Sequence, residues 1–239
     1  MHPFFAALKR RYRKQKAPKL FSYIFQTFHL VPKGVFQVGA NGGGEIKEFI
    51  SQGLQKGIFV EPLPDAYKRL VQAVSARPGF YSVNAVCTDT VGEEVNFYIS
   101  TSGSMGASSS VLKPSGVLSI HPEVPFDSKP VSLTSTTVDQ IVADFNSSGR
   151  SNVIADMDLL YMDTQGSELI VLKGAGEFLK QIRYIYTEVS LGGLYENDAT
   201  HIEISGYLAF HGFSLAFIYM NKHGWGDALY VRSSLFDNR

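Results

Sequence analysis

One stretch limits the fold of this chain more than any other. Val35-Phe36-Gln37-Val38 is a short apolar run, it ends in Gly39-Ala40-Asn41-Gly42-Gly43-Gly44, and Ile46, Phe49, Ile50 and Leu54 then recur at helical spacing. That order reads as a strand feeding a helix through a glycine-rich turn. Gly39 can bend tightly without a Cβ clash, and Asn41 tolerates the left-handed region better than most residues. Such a turn gathers backbone N–H groups at the positive end of a helix, where an anionic group is stabilised. The alternative is an ordinary strand-to-helix turn that binds nothing. The next apolar run, Gly57-Ile58-Phe59-Val60, ends in Glu61. An acid at the tip of the second strand, about 20 residues past the first glycine, is placed to bind ribose hydroxyls in dinucleotide-binding units. Taken alone, Glu61 reads equally as a solvated loop carboxylate.

The rhythm set by that unit continues. Tyr67, Leu70, Val71 and Val74 predict a helix that stops at Arg77-Pro78-Gly79, and residues 80–86 predict a third strand. Strands alternating with helices of this length imply a parallel sheet covered on both faces. Residues 94–99 and 131–136 break the pattern and predict an extra antiparallel pair joined by a long loop, of the kind that is functional or disordered. Thr137 to Gln140 carries a capping-box pattern before a short helix, and Thr200 to Glu203 carries another. Residues 157–162 and 182–189 resume the core, with Asp163 after the first of these and Glu188 near the end of the second. Residues 191–199 contain glycines and are placed to cover a site. Residues 213–231 predict a terminal β-hairpin.

With 239 residues, 44% of them hydrophobic, and no net charge, the chain suits one globular domain. A single cysteine, Cys87 in an apolar run, excludes an internal disulfide and argues for a buried, inert thiol. No apolar run approaches the roughly 20 residues that span a membrane, and the N-terminus lacks the pattern of a secretory leader, so the expected setting is cytoplasmic. The charges are unevenly placed. Lys9, Arg10, Arg11, Arg13, Lys14, Lys16, Lys19 and Lys33 all precede the first acid, Glu45. Residues 1–33 therefore form a basic, helical arm, and 34–239 a single domain that is acidic on balance. Beside Phe4, Phe5 and Leu8, the arm suits peripheral contact with an anionic membrane; the plainer reading is a solvated tail. No stable nucleic-acid partner is expected.

Three acids, Glu61, Asp163 and Glu188, thus fall at or near the ends of core strands. Around them the chain resembles the FkbM family of S-adenosylmethionine-dependent methyltransferases. The segments that carry the resemblance are Gln37 to Gly43, Phe59-Val60-Glu61-Pro62, Asn84-Ala85-Val86 and Leu133 to Asp139. They continue with Asp163-Thr164-Gln165-Gly166-Ser167-Glu168-Leu169, Val171-Leu172-Lys173-Gly174-Ala175, and Tyr186-Thr187-Glu188-Val189. The resemblance implies a Rossmann-like class I methyltransferase fold in the α/β class: a seven-stranded, mostly parallel sheet with the last strand antiparallel, plus the inserted strand pair. It implies S-adenosyl-L-methionine as cofactor. Gly39, Ala40, Asn41 and Gly43 would surround its methionine end, Glu61 would hold the ribose hydroxyls, Ala85 and Val86 would pack near adenine, and Asp163 would lie near the transferred methyl or the amino group. Gln37 stands where many class I enzymes carry an acid; it can hydrogen-bond an ammonium but supplies no charge. The implied reaction is O-methylation of a sugar, glycan or secondary metabolite.

Such chemistry asks for alignment and for a general base. Asp163 and Glu188 are the candidates, with His121 and His201 behind them. No spacing argues for a required metal, and Asp156 and Asp158 read as solvated. Trp225 reads as a loop anchor with a substrate contact as the alternative, and Tyr195 as a cover residue that could touch substrate. Two other functions compete. One is an NAD-dependent Rossmann oxidoreductase, opposed by the break of the Gly-x-Gly-x-x-Gly pattern at Asn41 and by the lack of room for a second domain. The other is a non-catalytic module binding membrane or RNA through the basic arm.

Overall fold

The computed structural model describes residues 20–101 and 106–235. The chain opens with α1 (Leu20–Thr27), β1 (Val35–Val38), α2 (Ile46–Ser51), β2 (Gly57–Val60), α3 (Pro64–Ser75) and β3 (Phe80–Val83). Then come β4 (Val86–Cys87), β5 (Glu94–Phe97), α4 (Gly116–Ile120), β6 (Val131–Thr136), α5 (Val138–Ser147) and α6 (Ser151–Ile154). The last part holds β7 (Leu159–Met162), α7 (Glu168–Lys173), β8 (Tyr184–Ser190), α8 (His201–Phe210), β9 (Phe213–Met220) and β10 (Trp225–Arg232).

Seven strands form one sheet in the order β3-β2-β1-β7-β8-β10-β9. β1 pairs parallel with β2 and β7, and β10 runs antiparallel to both β8 and β9. The order reverses beside β1, so β1 and β7 diverge into separate connections and open a crevice at their carboxyl ends, the general ligand position of open α/β sheets. The expected fold class is found. The expected hairpin pair β5–β6 forms, and a third short strand joins it, since β4 pairs parallel with β6. The predicted strand at 80–86 is therefore two strands. It leaves the main sheet after Val83, and Val86 begins the small one.

Alternation along β1 shows how the sheet is wrapped. Phe36 and Val38 enter one apolar cluster with Val138, Ile141, Val171 and Leu208 from α5, α7 and α8. Val35 enters the other, with Phe49, Leu70 and Val74 from α2 and α3. Burial on both faces is why these core strands read as continuous apolar runs. Phe21, Ile24 and Phe25 of α1 are buried in the second cluster, and the Phe21 ring meets Phe49, Tyr161 and Tyr186 edge-on at 5.1–5.5 Å. This helix, within the arm read as residues 1–33, is thus docked on the core.

Two helix starts follow from their first residues. The Thr137 side chain accepts the Gln140 N–H, and Thr200 with Glu203 forms a complete capping box. One reading needs correction: Asp158 is buried, not solvated. Its Oδ1 accepts the Lys33 N–H at 2.7 Å, and Arg183 lies 3.5 Å from Oδ2. It joins the ends of β1 and β8 to the strand between them.

Candidate active site

Gly39 and Asn41 follow β1, and Glu61 follows β2. Both Gly39 and Asn41 adopt positive φ, 82° and 45°. The bend brings the Asn41 N–H to 2.8 Å from Glu61 Oε2, and the Leu63 N–H donates to Oε1 at 2.9 Å. The Glu61 carbonyl accepts from Asn84 Nδ2 at 2.8 Å. Glycine turn and acid therefore lie together on one edge of the sheet. The Gly42 N–H donates to Asn41 Oδ1 at 2.6 Å. Two of the N–H groups expected to gather on an anionic ligand are thus used within the chain, and the anion that the turn holds is Glu61. Burial pushes the Glu61 carboxyl up to about 7, against the pull of the Leu63 and Asn41 N–H bonds and the Arg69 charge.

Glu61 and Asp163 line a common cleft, with Gly39, Asn41, Ala85 and Val86 among its other walls. Six of the residues singled out from the sequence as cofactor contacts are so brought together. Gln37, Ala40 and Gly43 are not among the lining residues. Gln37 is fully buried; its Nε2 donates to Glu45 Oε2 at 3.3 Å and its Oε1 has no hydrogen-bond partner. Ala40 is core, and Gly43 packs on Ile46 and Leu70. Leu63 and Phe97 also line the cleft, as do Gly106, Ala107, Ser109 and Val111. None of these had a local signal, because they come from a connector and from the inserted segment. With that segment across it, the cleft holds only about 50 Å³. Cys87 is a further wall, and burial pushes its thiol up to about 12, an inert group as expected.

A larger pocket of about 360 Å³ adjoins the cleft, and Asp163 and Ala107 line both. It holds Glu188, His121, Tyr195 and Trp225. His201 is not among its lining residues. Trp225, read as a loop anchor, faces this pocket, its ring 6.4 Å from that of His121. His121 ends α4, and its Nδ1 lies 2.9 Å from Glu123 Oε1. Asp163 and Glu188 are joined by one amide: Gln165 Nε2 donates to Asp163 Oδ1 at 2.6 Å and to Glu188 Oε2 at 2.9 Å. The walls around it, and then the Glu45 carboxylate, push Asp163 up to about 6 despite the Gln165 bond, although the residue keeps an exposed edge in the open cleft. Glu188 is raised well above its ordinary value by burial and then by the charges of Asp163, Glu168 and Asp227. Glu168, the last acid of the segment that begins at Asp163, is buried and accepts the Thr164 N–H at 2.8 Å; it shapes the turn.

Two segments roof this pocket, and they are fastened to each other. The N–H groups of Ser115 and Val117 donate to the Leu194 carbonyl, and that of Gly116 to the Gly193 carbonyl, at 3.0–3.1 Å. The Glu196 N–H donates to the Lys113 carbonyl at 2.8 Å, and the two side chains form an ion pair at 2.7 Å.

The sequence that builds this site matches a known family. The methyltransferase FkbM domain matches residues 37–215, three quarters of the chain. The chain belongs to the FkbM methyltransferase family. A relative within reach of a whole-sequence comparison is the 2-O-methyltransferase NoeI of Sinorhizobium fredii, 27% identical over 169 residues. That alignment covers 69% of this chain and 66% of NoeI. Among solved structures, Sp1610 of Streptococcus pneumoniae in complex with S-adenosyl-L-methionine is similar, with 11% identity, a TM-score of 0.47, and coverage of 90% of this chain and 72% of that one. Fibrillarin of Aeropyrum pernix with bound S-adenosyl-L-methionine has 14% identity and a TM-score of 0.45, covering 89% of this chain and 74% of that one. Likeness at this level speaks neither to substrate nor to site. The FkbM domain begins at Gln37, within β1, and takes in the glycine turn, Glu61 and Asp163.

Proposed function

We propose that this FkbM domain binds S-adenosyl-L-methionine in the narrow cleft and transfers its methyl group to a hydroxyl of a sugar, glycan or secondary metabolite held in the adjoining pocket. The observation that carries the reading is that Asp163 lines both cavities while Glu61 and the glycine turn close the first.

The residues suit such a cofactor. The Glu61 carboxylate is pinned by two N–H donors and keeps lone pairs for two neighbouring hydroxyls. Leu63, Val86 and Phe97 offer apolar walls to a flat base. Among the described residues neither lining includes a lysine or arginine, whereas both include Asp163, so positive charge is favoured there.

When bound, the cofactor would supply an electrophilic sulfonium methyl with a neutral thioether as its leaving group. The chain aligns the acceptor oxygen, excludes water and takes the hydroxyl proton as the new oxygen–carbon bond forms. Asp163 and Glu188 are the bases we assign to that proton. NoeI, as a 2-O-methyltransferase, favours oxygen as the acceptor atom.

Calorimetric titration with S-adenosylhomocysteine and with NAD separates the readings. Binding of the first alone is expected; binding of NAD alone would restore the oxidoreductase, and binding of neither would leave a non-catalytic module. The basic arm at residues 1–19 lies outside the described residues, and we propose it as a peripheral membrane contact. Among the described residues no helix is long and apolar enough to cross a membrane. Removing residues 1–19 is expected to lower sedimentation with anionic vesicles and to leave S-adenosylhomocysteine binding unchanged. Absent sedimentation of the full chain would end that idea.

A further inference from the structure

Gln165 sits in an unusual place. It has φ 56°, a left-handed conformation that is uncommon for a residue with a side chain. Its amide lies between the two candidate bases on one side and Tyr195 on the other. The Tyr195 hydroxyl shares its proton between the Ser108 carbonyl at 2.8 Å and Gln165 Oε1 at 3.2 Å. The two carboxylates, which need donors, fix the sense of the amide, and the Tyr195 contact agrees with it. With oxygen toward Tyr195, the NH₂ group must face the acids, and its two hydrogens match two carboxylates one to one. Turned over, the amide oxygen would face Asp163 and Glu188 and repel both. Among the described residues no ion pair holds either acid.

Resting on the methyltransferase reading, we propose that Gln165 is the positioning residue of this site: its amide, packed against Tyr195, holds Asp163 and Glu188 side by side and favours the ionised form of the one that accepts the hydroxyl proton.

Like charges this close resist joint ionisation. The surroundings make the resistance stronger. Glu45 faces the pair from the start of α2, Glu168 from α7 and Asp227 from β10. Tyr161 of β7 and Tyr186 of β8 lie in the same electrostatic neighbourhood, Tyr195 and Asp198 face it from the loop after β8, and His121 looks in from α4. Within this acidic ring, the donor hydrogen-bonded to both carboxylates is the Gln165 amide. Its removal raises the proton affinity of the pair. The Tyr195 contact also links the pair to the insert, through Ser108.

The test is a side-chain carboxyl carbon NMR titration of the full chain, with the Asp163 and Glu188 signals assigned through Asp163→Asn and Glu188→Gln. Gln165→Gly removes the amide and suits the left-handed backbone, so it is expected to fold. In this variant the titration midpoint of the pair rises by about one pH unit, a tenfold gain in proton affinity. Tyr195→Phe removes the contact on the amide oxygen, loosens the amide and raises the midpoint by less. Should Gln165→Gly not fold, Gln165→Asn, which retracts the amide by one methylene, takes its place with the same expectation. A midpoint equal to that of the wild type in a folded Gln165 variant overturns the proposal, since a merely structural side chain would alter melting and leave the titration alone. The same samples are titrated with S-adenosylhomocysteine. Wild-type protein that fails to bind it defeats the methyltransferase reading; variants that bind it normally while the midpoint stays fixed defeat only the role of Gln165.

Discussion

Gly39 has no room for a side chain. A Cβ there would lie 1.9 Å from the Asp163 carbonyl oxygen, and φ is 82°. The close approach of these backbones seats the glycine turn beside the end of β7, and so places Asp163 against the cleft. Gly39→Ala is expected to cost more than about 2 kcal/mol, since both the clash and the backbone conformation oppose it; urea unfolding reads this directly. Glu61 makes a different kind of contribution. Glu61→Ala leaves the Asn41 and Leu63 N–H groups without their acceptor and removes the proposed ribose contact. S-adenosylhomocysteine affinity should fall by about 1–3 kcal/mol by calorimetry. An unchanged dissociation constant in a folded variant would count against the ribose role.

The insert between β4 and β6 is the element whose behaviour the cleft volume exposes. Pockets that bury small ligands run to roughly 300–1,000 Å³, and the cleft under residues 106–111 holds about 50 Å³. An adenosyl ligand therefore requires this segment to shift outward and settle again. Hydrogen exchange in residues 106–126 should slow when S-adenosylhomocysteine is added, with little change in β1, β7 or β8; equal exchange with and without it would contradict this. The insert also shows where reading a sequence stops. The glycine turn, Glu61, Asp163 and the alternation of strands with helices could be read because their signals are local: a period, a bend, an acid at a strand tip. Phe97, Ser108 and Val111 could not. Their positions depend on how a proline- and serine-rich connector returns over the sheet, and no periodicity records that path. Trp225 was read as an anchor for the same reason, because its partner His121 is more than a hundred residues away in the chain.

Across the whole molecule, carboxyl groups set the response to pH. Burial raises both Glu61 and Glu168 from 4.5 to about 7. Between those values the folded chain keeps protons that the unfolded chain has lost. The stability these two groups contribute to the free protein is therefore fully present below about pH 4.5 and is lost as pH rises toward 7. The melting temperature should drop by about several degrees over that interval, and Glu61→Gln should flatten the curve. A melting temperature that climbs from pH 5 to 8 would show these carboxyls to be ionised in the folded state. The hydrogen bonds between residues 113–117 and 193–196 reach further than the stability of one loop. Swapping either stretch alone with a relative's would set mismatched edges against each other. A chimera made to change acceptor preference must carry both together, as a two-piece cassette dropped onto an unaltered chassis.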